Sequence, residues 1–319
     1  METFRTTFPE YKSGLSIQHE NRILCMGSCF ADNIFQKFNY YHFDSLESPF
    51  GISFNPLVLA NQLNKLKENK IYSALDLDFH RDFYHSFDHH GKFSHPNLEF
   101  CLNRINECIS KAYKFFLTTD YLIITFGSAH FYRLKETGQI VSNCHKLPQD
   151  KFIKSIATTE QIINAWSETI KNIKTLFPDL KIIFSISPVR YLKDGFIENT
   201  RSKASLILVV AHLTNMFRHV HYFPAYEIFM DDLRDYRFSK PDRVHPSEEA
   251  FEYIWHYFEN SFFSDETKNV NSEIASLQLQ IGHRPLYPES PSHLNFEKKI
   301  EAAKKSIKIK FPQVKFRWD

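Results

Sequence analysis

The 319-residue chain carries 39 Lys and Arg against 37 Asp and Glu, a formal charge of +2 at pH 7, so its bulk charge gives no argument for a nucleic-acid or membrane-surface partner. Its shares of hydrophobic (43%) and charged (24%) residues are those of a globular protein. The longest apolar run, Leu206 to Ala211, falls far short of the roughly 20 residues a membrane-spanning helix needs. Aromatic residues reach 16%, and only 8 glycines are present, so each glycine is a candidate for a special backbone position.

In chain order, the opening METFRTTFPEYKSG lacks the basic-then-apolar layout of a signal peptide. Five cysteines at irregular spacing (Cys25, Cys29, Cys101, Cys108 and Cys144) form neither a disulfide framework nor a zinc ribbon. Together these features predict a reduced, cytoplasmic protein without a metal or cofactor. Four apolar stretches read as buried parallel strands: Arg22 to Met26, Tyr121 to Phe126, Lys181 to Ile186 and Val220 to Phe223. Helical periodicity falls between and after them, over Pro56 to Lys67, Leu98 to Leu117, Thr159 to Phe177, Ser202 to Phe217 and Ser247 to Phe258. The alternation predicts an α/β sheet covered on both faces, with ligand sites at the carboxyl ends of the strands. A short hairpin is expected over Phe131 to Val141.

After Phe263 the composition shifts. Ser272 to Gln280 reads as a helix, HRPLYPESPSH as an extended Pro-rich link, and Phe296 to Lys310 as a Lys-rich helix. Residues 1–263 are thus expected to form one domain and 264–319 a helical extension packed on it. From Phe296 onward eight Lys or Arg stand against three acids, which suits a solvated face, with weak surface docking as the alternative.

The strand-end loops carry the polar residues. Ser28 follows a strand and Gly27 and precedes a helix, so its hydroxyl is placed either to cap that helix or to act as a nucleophile beside helix N–H groups. In KPDRVHPSEEA, Asp242 and His245 lie three apart on a loop before a helix. That spacing lets a carboxylate hold imidazole Nδ1 and leave Nε2 for a hydroxyl, though many Asp-x-x-His pairs are only surface pairs. A serine hydroxyl needs such a base at neutral pH.

These residues sit in longer motifs: GSCFA at 27–31, then SPFGISFNP, FYHSFDHHGKFS, ITFGSAHFYR, VSNCHKLP, ISPVRYLKDG, ENTRSKA, YFPAYEIFMDDLRDYRF and DRVHPS. With them the chain resembles the GSCFA family, which is grouped with the SGNH (GDSL-like) hydrolases. The resemblance implies a flavodoxin-like three-layer sandwich and ester or acyl chemistry, either hydrolysis or transfer. It makes Ser28 the nucleophile, His245 the base and Asp242 its orienting partner. It also implies oxyanion donors from the N–H groups of Ser28 and Gly51. The third SGNH donor, an Asn, is replaced by Ala129, so Ser128, His130 and Asn143 are the candidate substitutes. A second alignment puts Cys29 on the nucleophile position; the reading that keeps Ser28 is preferred, and Cys29 otherwise reads as a small buried filler.

Four further readings follow. Arg190, ending ISPVR, is placed to clamp an anionic group or to pair with Asp232 or Asp235. His145 and Lys146 are placed to line the cleft. The histidine-rich FYHSFDHHGKFSH invites a metal reading, but an aromatic pocket wall or lid suits it better. The aromatic loops point to a small-molecule or carbohydrate ester as substrate, glycolipid included. The rivals are a binding module that retains the cleft and an acyltransferase acting through Cys29.

Overall fold

The computed structural model describes residues 6–318; the first five residues of the signal-peptide reading, and Asp319 of the extension, lie outside them. The chain starts with β1 (Arg22–Gly27), α1 (Cys29–Tyr40), β2 (Asp44–Glu47) and α2 (Pro56–Lys67). A small hairpin of β3 (Asp78–His80) and β4 (Phe83–His85) leads to α3 (Leu98–Phe116) and β5 (Tyr121–Phe126). An antiparallel insert follows, made of β6 (His130–Leu134), β7 (Ile140–Val141) and β8 (Phe152–Ile156), with β6 in the centre. Then come α4 (Thr159–Leu176), β9 (Lys181–Ile186), α5 (Phe196–Met216), β10 (Val220–Phe223) and the single turn α6 (Ala225–Glu227). Three helices close the chain: α7 (Glu248–Phe262), α8 (Asp265–Ile281) and α9 (Pro291–Lys310).

The central sheet is wholly parallel, in the order β10-β9-β5-β1-β2. Read from β2, this is the flavodoxin-like 2-1-3-4-5 order, whose switch point lies between β1 and its far neighbour, here β5. The two-residue period of a strand sorts its side chains into two cores. Leu24, Met26, Leu122 and Ile124 face α2 to α5, whereas Ile23, Cys25, Tyr121 and Ile123 face α1 and α7. The result is the expected three-layer α/β sandwich. Trp166 anchors the first face, buried and donating from Nε1 to the Pro56 carbonyl at 3.0 Å.

The four expected strands are present. The edge strand β2 is an addition, and its sequence DSLE has a single apolar residue, so its pairing with β1 rather than its own pattern makes it a strand. The expected hairpin gains a third strand, β8. Helix α5 begins six residues before the expected Ser202: Gly195 turns the chain at φ +88°, and the Phe196 and Ile197 side chains that follow stay exposed, outside the helix's buried periodicity. Ser264 and Ser290 cap α8 and α9, which likewise start earlier than their apolar periodicity suggests. These two helices share a separate small core of Val270, Ile274, Ile300 and Ile307. The tail after α9 returns to the sheet edge, where Lys315, Arg317 and Arg22 surround Asp44. Among the described residues no helix is long and apolar enough to cross a membrane.

Candidate active site

At the switch point β1 and β5 run so close that residue 27 has no room for a side chain. A Cβ on Gly27 would lie 2.3 Å from the Thr125 carbonyl oxygen, and its φ of +140° is one that L-residues avoid. The chain then turns into α1. The segment Gly51–Asn55 arches over both strand ends: Ser53 N–H donates to the Gly27 carbonyl (2.8 Å), and the Phe54 carbonyl accepts from Gly127 (2.8 Å) and Ser128 (3.0 Å).

At this turn the two adjacent nucleophile candidates meet different surroundings. Ser28 is the N-cap of α1: its Oγ accepts from Phe30 N–H at 3.3 Å, and the residue is 1% exposed. It borders a cavity of about 20 Å³ shared with Asp32, Glu47 and Gly51, which is room for about one water. Cys29, the first residue of the helix, is only half-buried. Burial pushes its thiol up from the ordinary range, while Lys203 and the N–H groups of Cys29 and Phe30 pull it down.

The loop between Ser239 and Pro246 is closed at its base by a strand-like bridge and by Lys240 N–H donating to the His245 carbonyl at 2.8 Å. Within it, Asp242 Oδ2 lies 2.7 Å from His245 Nδ1, and Oδ1 accepts from the N–H groups of Val244 (2.9 Å) and His245 (3.0 Å). Those contacts, led by the backbone bonds, hold the Asp242 carboxyl down at about 2. Both side chains remain open, at 44% for His245 and 48% for Asp242. Arg190 ties this loop to the segment after β9. Its N–H donates to the Val244 carbonyl (3.4 Å), and its guanidinium donates to the Arg243 carbonyl.

At the three oxyanion candidates each backbone N–H has a carbonyl acceptor within the chain. Ser28 N–H donates to the Thr125 carbonyl (3.1 Å), Gly51 N–H to that of Ser48 (3.0 Å), and Ser128 N–H to that of Phe54 (3.0 Å). The Ser128 hydroxyl lies 3.3 Å from both Ser202 Oγ and His130 Nδ1. Cys29 N–H, in the first turn of α1, is a donor without an intrahelical acceptor.

Of the substrate-binding candidates, Ser128, His130 and Asn143 line one cavity of about 230 Å³, walled by Phe54, Tyr132 and Tyr191. His145 is elsewhere: its ring stacks 4.2 Å from that of His85, its Nε2 lies 2.9 Å from the Ser86 carbonyl, and burial lowers it to about 4. Arg190 lines a different cavity, of about 240 Å³, together with Arg234 and Asp235, and its guanidinium lies over Tyr236. Asp232, its other suggested partner, accepts from Phe8 N–H and the Tyr253 hydroxyl. The histidine-rich segment packs into the interior and lines none of the cavities described above. His89 is buried against Phe50, Tyr72 and Phe93 and held down at about 3 by desolvation, while Asp88 pairs with Lys65 and Tyr72. Among the described residues no three candidate ligands converge on a metal position.

The residue that sequence reasoning passed over is Lys203. It stands on the buried stripe of α5, in step with Leu206 and Val210, and is 1% exposed. Its Nζ donates to the carbonyls of Gly127 (2.8 Å) and Ser187 (2.6 Å), joining the ends of β5 and β9. Burial lowers its pKa from 10.5 to about 7. A lysine on an apolar helical stripe was the available signal.

The GSCFA family profile matches residues 22–258. No curated protein sequence matches the chain significantly. Among solved structures, an acylhydrolase so assigned by inference, from Bacteroides fragilis NCTC 9343, aligns at 9% identity with a TM-score of 0.40. That alignment covers 82% of this chain and 91% of the other. A carbohydrate esterase of family 3 from Talaromyces cellulolyticus aligns at 7% identity and a TM-score of 0.36, covering 80% and 99%. Both scores lie below 0.5 and carry no functional weight.

Proposed function

The chain belongs to the GSCFA family, and from that premise we propose that it cleaves small O-acyl esters through a covalent acyl intermediate formed at the turn between β1 and α1. The observation that carries this reading is the His245–Asp242 pair. A carboxylate fixed by two backbone N–H groups and bound to Nδ1 at 2.7 Å sets one imidazole tautomer and leaves Nε2 for proton transfer. Its loop is tied through Arg190 to the strand-end edge on which Gly27, Gly127 and Ser187 lie.

Cys29 is the nucleophile in this reading. Its sulfur forms a bond to the ester carbonyl carbon as the C–O bond breaks, and the thiol proton leaves with the alcohol. Water then attacks the thioester, His245 takes its proton, and the acid departs as the thiol is restored. An acceptor hydroxyl in place of water makes the same chemistry a transfer. The serine-dependent alternative needs the Ser28 hydroxyl to leave Phe30 N–H and to receive an acyl group where about 20 Å³ is free. The 230 Å³ cavity, with aromatic walls and His130 and Asn143 as polar groups, supports a small-molecule or carbohydrate ester as substrate.

The test is hydrolysis of a p-nitrophenyl acyl series, with the acyl-enzyme trapped at low pH and mapped by peptide mass spectrometry. The expected adduct lies on Cys29, disappears in Cys29→Ala, and turns over slowly in His245→Ala. An adduct on Ser28 would establish the serine reading instead. Folded protein that neither hydrolyses nor transfers acyl groups, yet is thermally stabilised by an ester, would be a binding module.

A further inference from the structure

We propose that the 240 Å³ cavity bordered by Arg190 and Arg234 is a carboxylate subsite, which takes the free acid end of the ester substrate. The substrate part of this inference rests on the ester reading above; the carboxylate site stands on the cavity itself. One wall is apolar, and an irregularity of the backbone builds it. After α6 the chain widens into a single turn of π-helix, Ile228–Asp232, where Leu233 N–H donates to the Ile228 carbonyl, five residues back, at 3.1 Å. Such turns are rare and are found mostly at functional positions. This one brings Phe229, Met230 and Leu233 to the cavity with Arg234 directly after them, while Tyr236 and Ser239 add hydroxyl groups.

The charged groups select the ligand. Arg190 Nε is buried and has no hydrogen-bond partner among the described residues, and a buried donor left unpaired is unfavourable. The same guanidinium donates from Nη2 to the Arg243 carbonyl and lies 5.4 Å from the Tyr236 ring. Among the described residues neither Arg190 nor Arg234 forms an ion pair with a carboxylate. Asp235, the third charged group of the lining, accepts from Arg237 N–H at 2.8 Å and so caps its own turn. Two guanidinium groups against one carboxylate leave the lining at +1, which matches a carboxylate better than a phosphate dianion. A planar carboxylate also fits the planar guanidinium fork, and the apolar wall suits the hydrocarbon attached to it.

The cavity adjoins the His245 loop. Arg190 N–H donates to the carbonyl of Val244, the residue before His245, at 3.4 Å, and Ser239 bridges to Pro246 at the base of that loop. Tyr191, the residue after Arg190, lines the 230 Å³ cavity assigned to the ester. Consecutive residues, about 4 Å apart along the backbone, thus border the two cavities. The substrate class that follows is an ester carrying a second, free carboxylate, such as the half-ester of a dicarboxylic acid. That carboxylate positions the substrate and takes no part in the bond changes.

The test titrates 3-phenylpropionate, its neutral amide 3-phenylpropionamide and inorganic phosphate into the protein by calorimetry at about pH 7.5, where the carboxylate is ionised. The acid should bind at least about tenfold more tightly than the amide. Arg234→Gln, at an exposed position, and Arg190→Gln should each remove that preference while circular dichroism stays native; if Arg190→Gln unfolds, Arg234→Gln decides alone. Equal binding of acid and amide would overturn the subsite, as would a preference that survives Arg234→Gln. Phosphate binding as tight as that of the acid would overturn the choice of a carboxylate. The substrate class is tested with mono-p-nitrophenyl glutarate against its neutral counterpart p-nitrophenyl valerate. The glutarate should show a kcat/KM at least about tenfold higher, falling towards parity in Arg234→Gln, and parity in the wild-type protein would overturn the substrate class. Acid binding by a protein that turns over neither ester would uphold the subsite and remove the ester reading. Turnover of both esters without acid binding would remove the subsite and leave that reading intact.

Discussion

Replacing Lys203 with Met should alter how stability varies with pH. The folded-state pKa of Lys203 is lowered from 10.5 to about 7 by desolvation. Between those values the unfolded chain holds a proton that the folded chain has released, so stability rises with pH through this window. Below about pH 7 both states are protonated, the full cost of burying the ammonium is present, and this group contributes no slope. Each unit of pH inside the window is worth about 1.4 kcal/mol. From about pH 7, where half of the proton is already released, to about pH 9 the wild-type protein should therefore gain about 2 kcal/mol relative to Lys203→Met. The comparison cancels the titratable groups that Lys203 does not touch electrostatically, while Cys29 and Glu227, which it does, add a smaller contribution of their own. Urea denaturation of the two at matched pH measures the difference directly. Parallel stability curves over that range would refute the argument, since they would mean that Lys203 keeps its ordinary pKa in the fold.

Gly27→Ala should cost about 4 kcal/mol, because a Cβ meets the Thr125 carbonyl oxygen at 2.3 Å and φ is +140°; chemical denaturation would show it. Asp242→Asn should lower ester turnover at least about tenfold by removing the charge that holds the imidazole, the loss staying below that of a full general base because the pair is half-exposed. Because the Asp242 carboxyl is held at about 2, its interactions are lost only as pH falls through that value, and no acid limb of a wild-type activity profile above pH 4 should arise from it. Asp44→Ala removes the acceptor shared by Lys315 and Arg317. It should speed tryptic cleavage of the tail while lowering global stability by about 1 kcal/mol or less, the usual worth of exposed ion pairs.

The parts of the fold that were legible are those where one segment carries its whole signal. β1, β5, β9 and β10 each present a contiguous apolar run, because a central parallel strand is buried on both faces. β2 presents no such run, since an edge strand with ion-paired Asp44 is held by the backbone bonds of its neighbour. The same division runs through the site. Asp242 and His245 bond to each other within one short loop, so their spacing alone suggested the pair.

Choosing between Ser28 and Cys29 depends on something no local pattern contains, namely which of two adjacent side chains faces the buried strand junction. A residue at the N-cap is aimed back at the helix N–H groups, and the next residue points away from them; here that puts the hydroxyl against a one-water cavity and leaves the thiol half-buried outside it. The oxyanion donors were illegible for a related reason. An N–H serves a ligand only if no carbonyl takes it first; here Thr125 takes that of Ser28, Ser48 that of Gly51, and Phe54 in the arch that of Ser128. Lys203 lies far along the chain from Gly127 and reaches its carbonyl only because α5 packs over the ends of β5 and β9. Its sole trace in the sequence is a charge on the apolar stripe that carries Leu206 and Val210. A charge in that setting costs stability unless the surrounding groups compensate it, and the two carbonyls that accept from Nζ are the compensation the fold supplies.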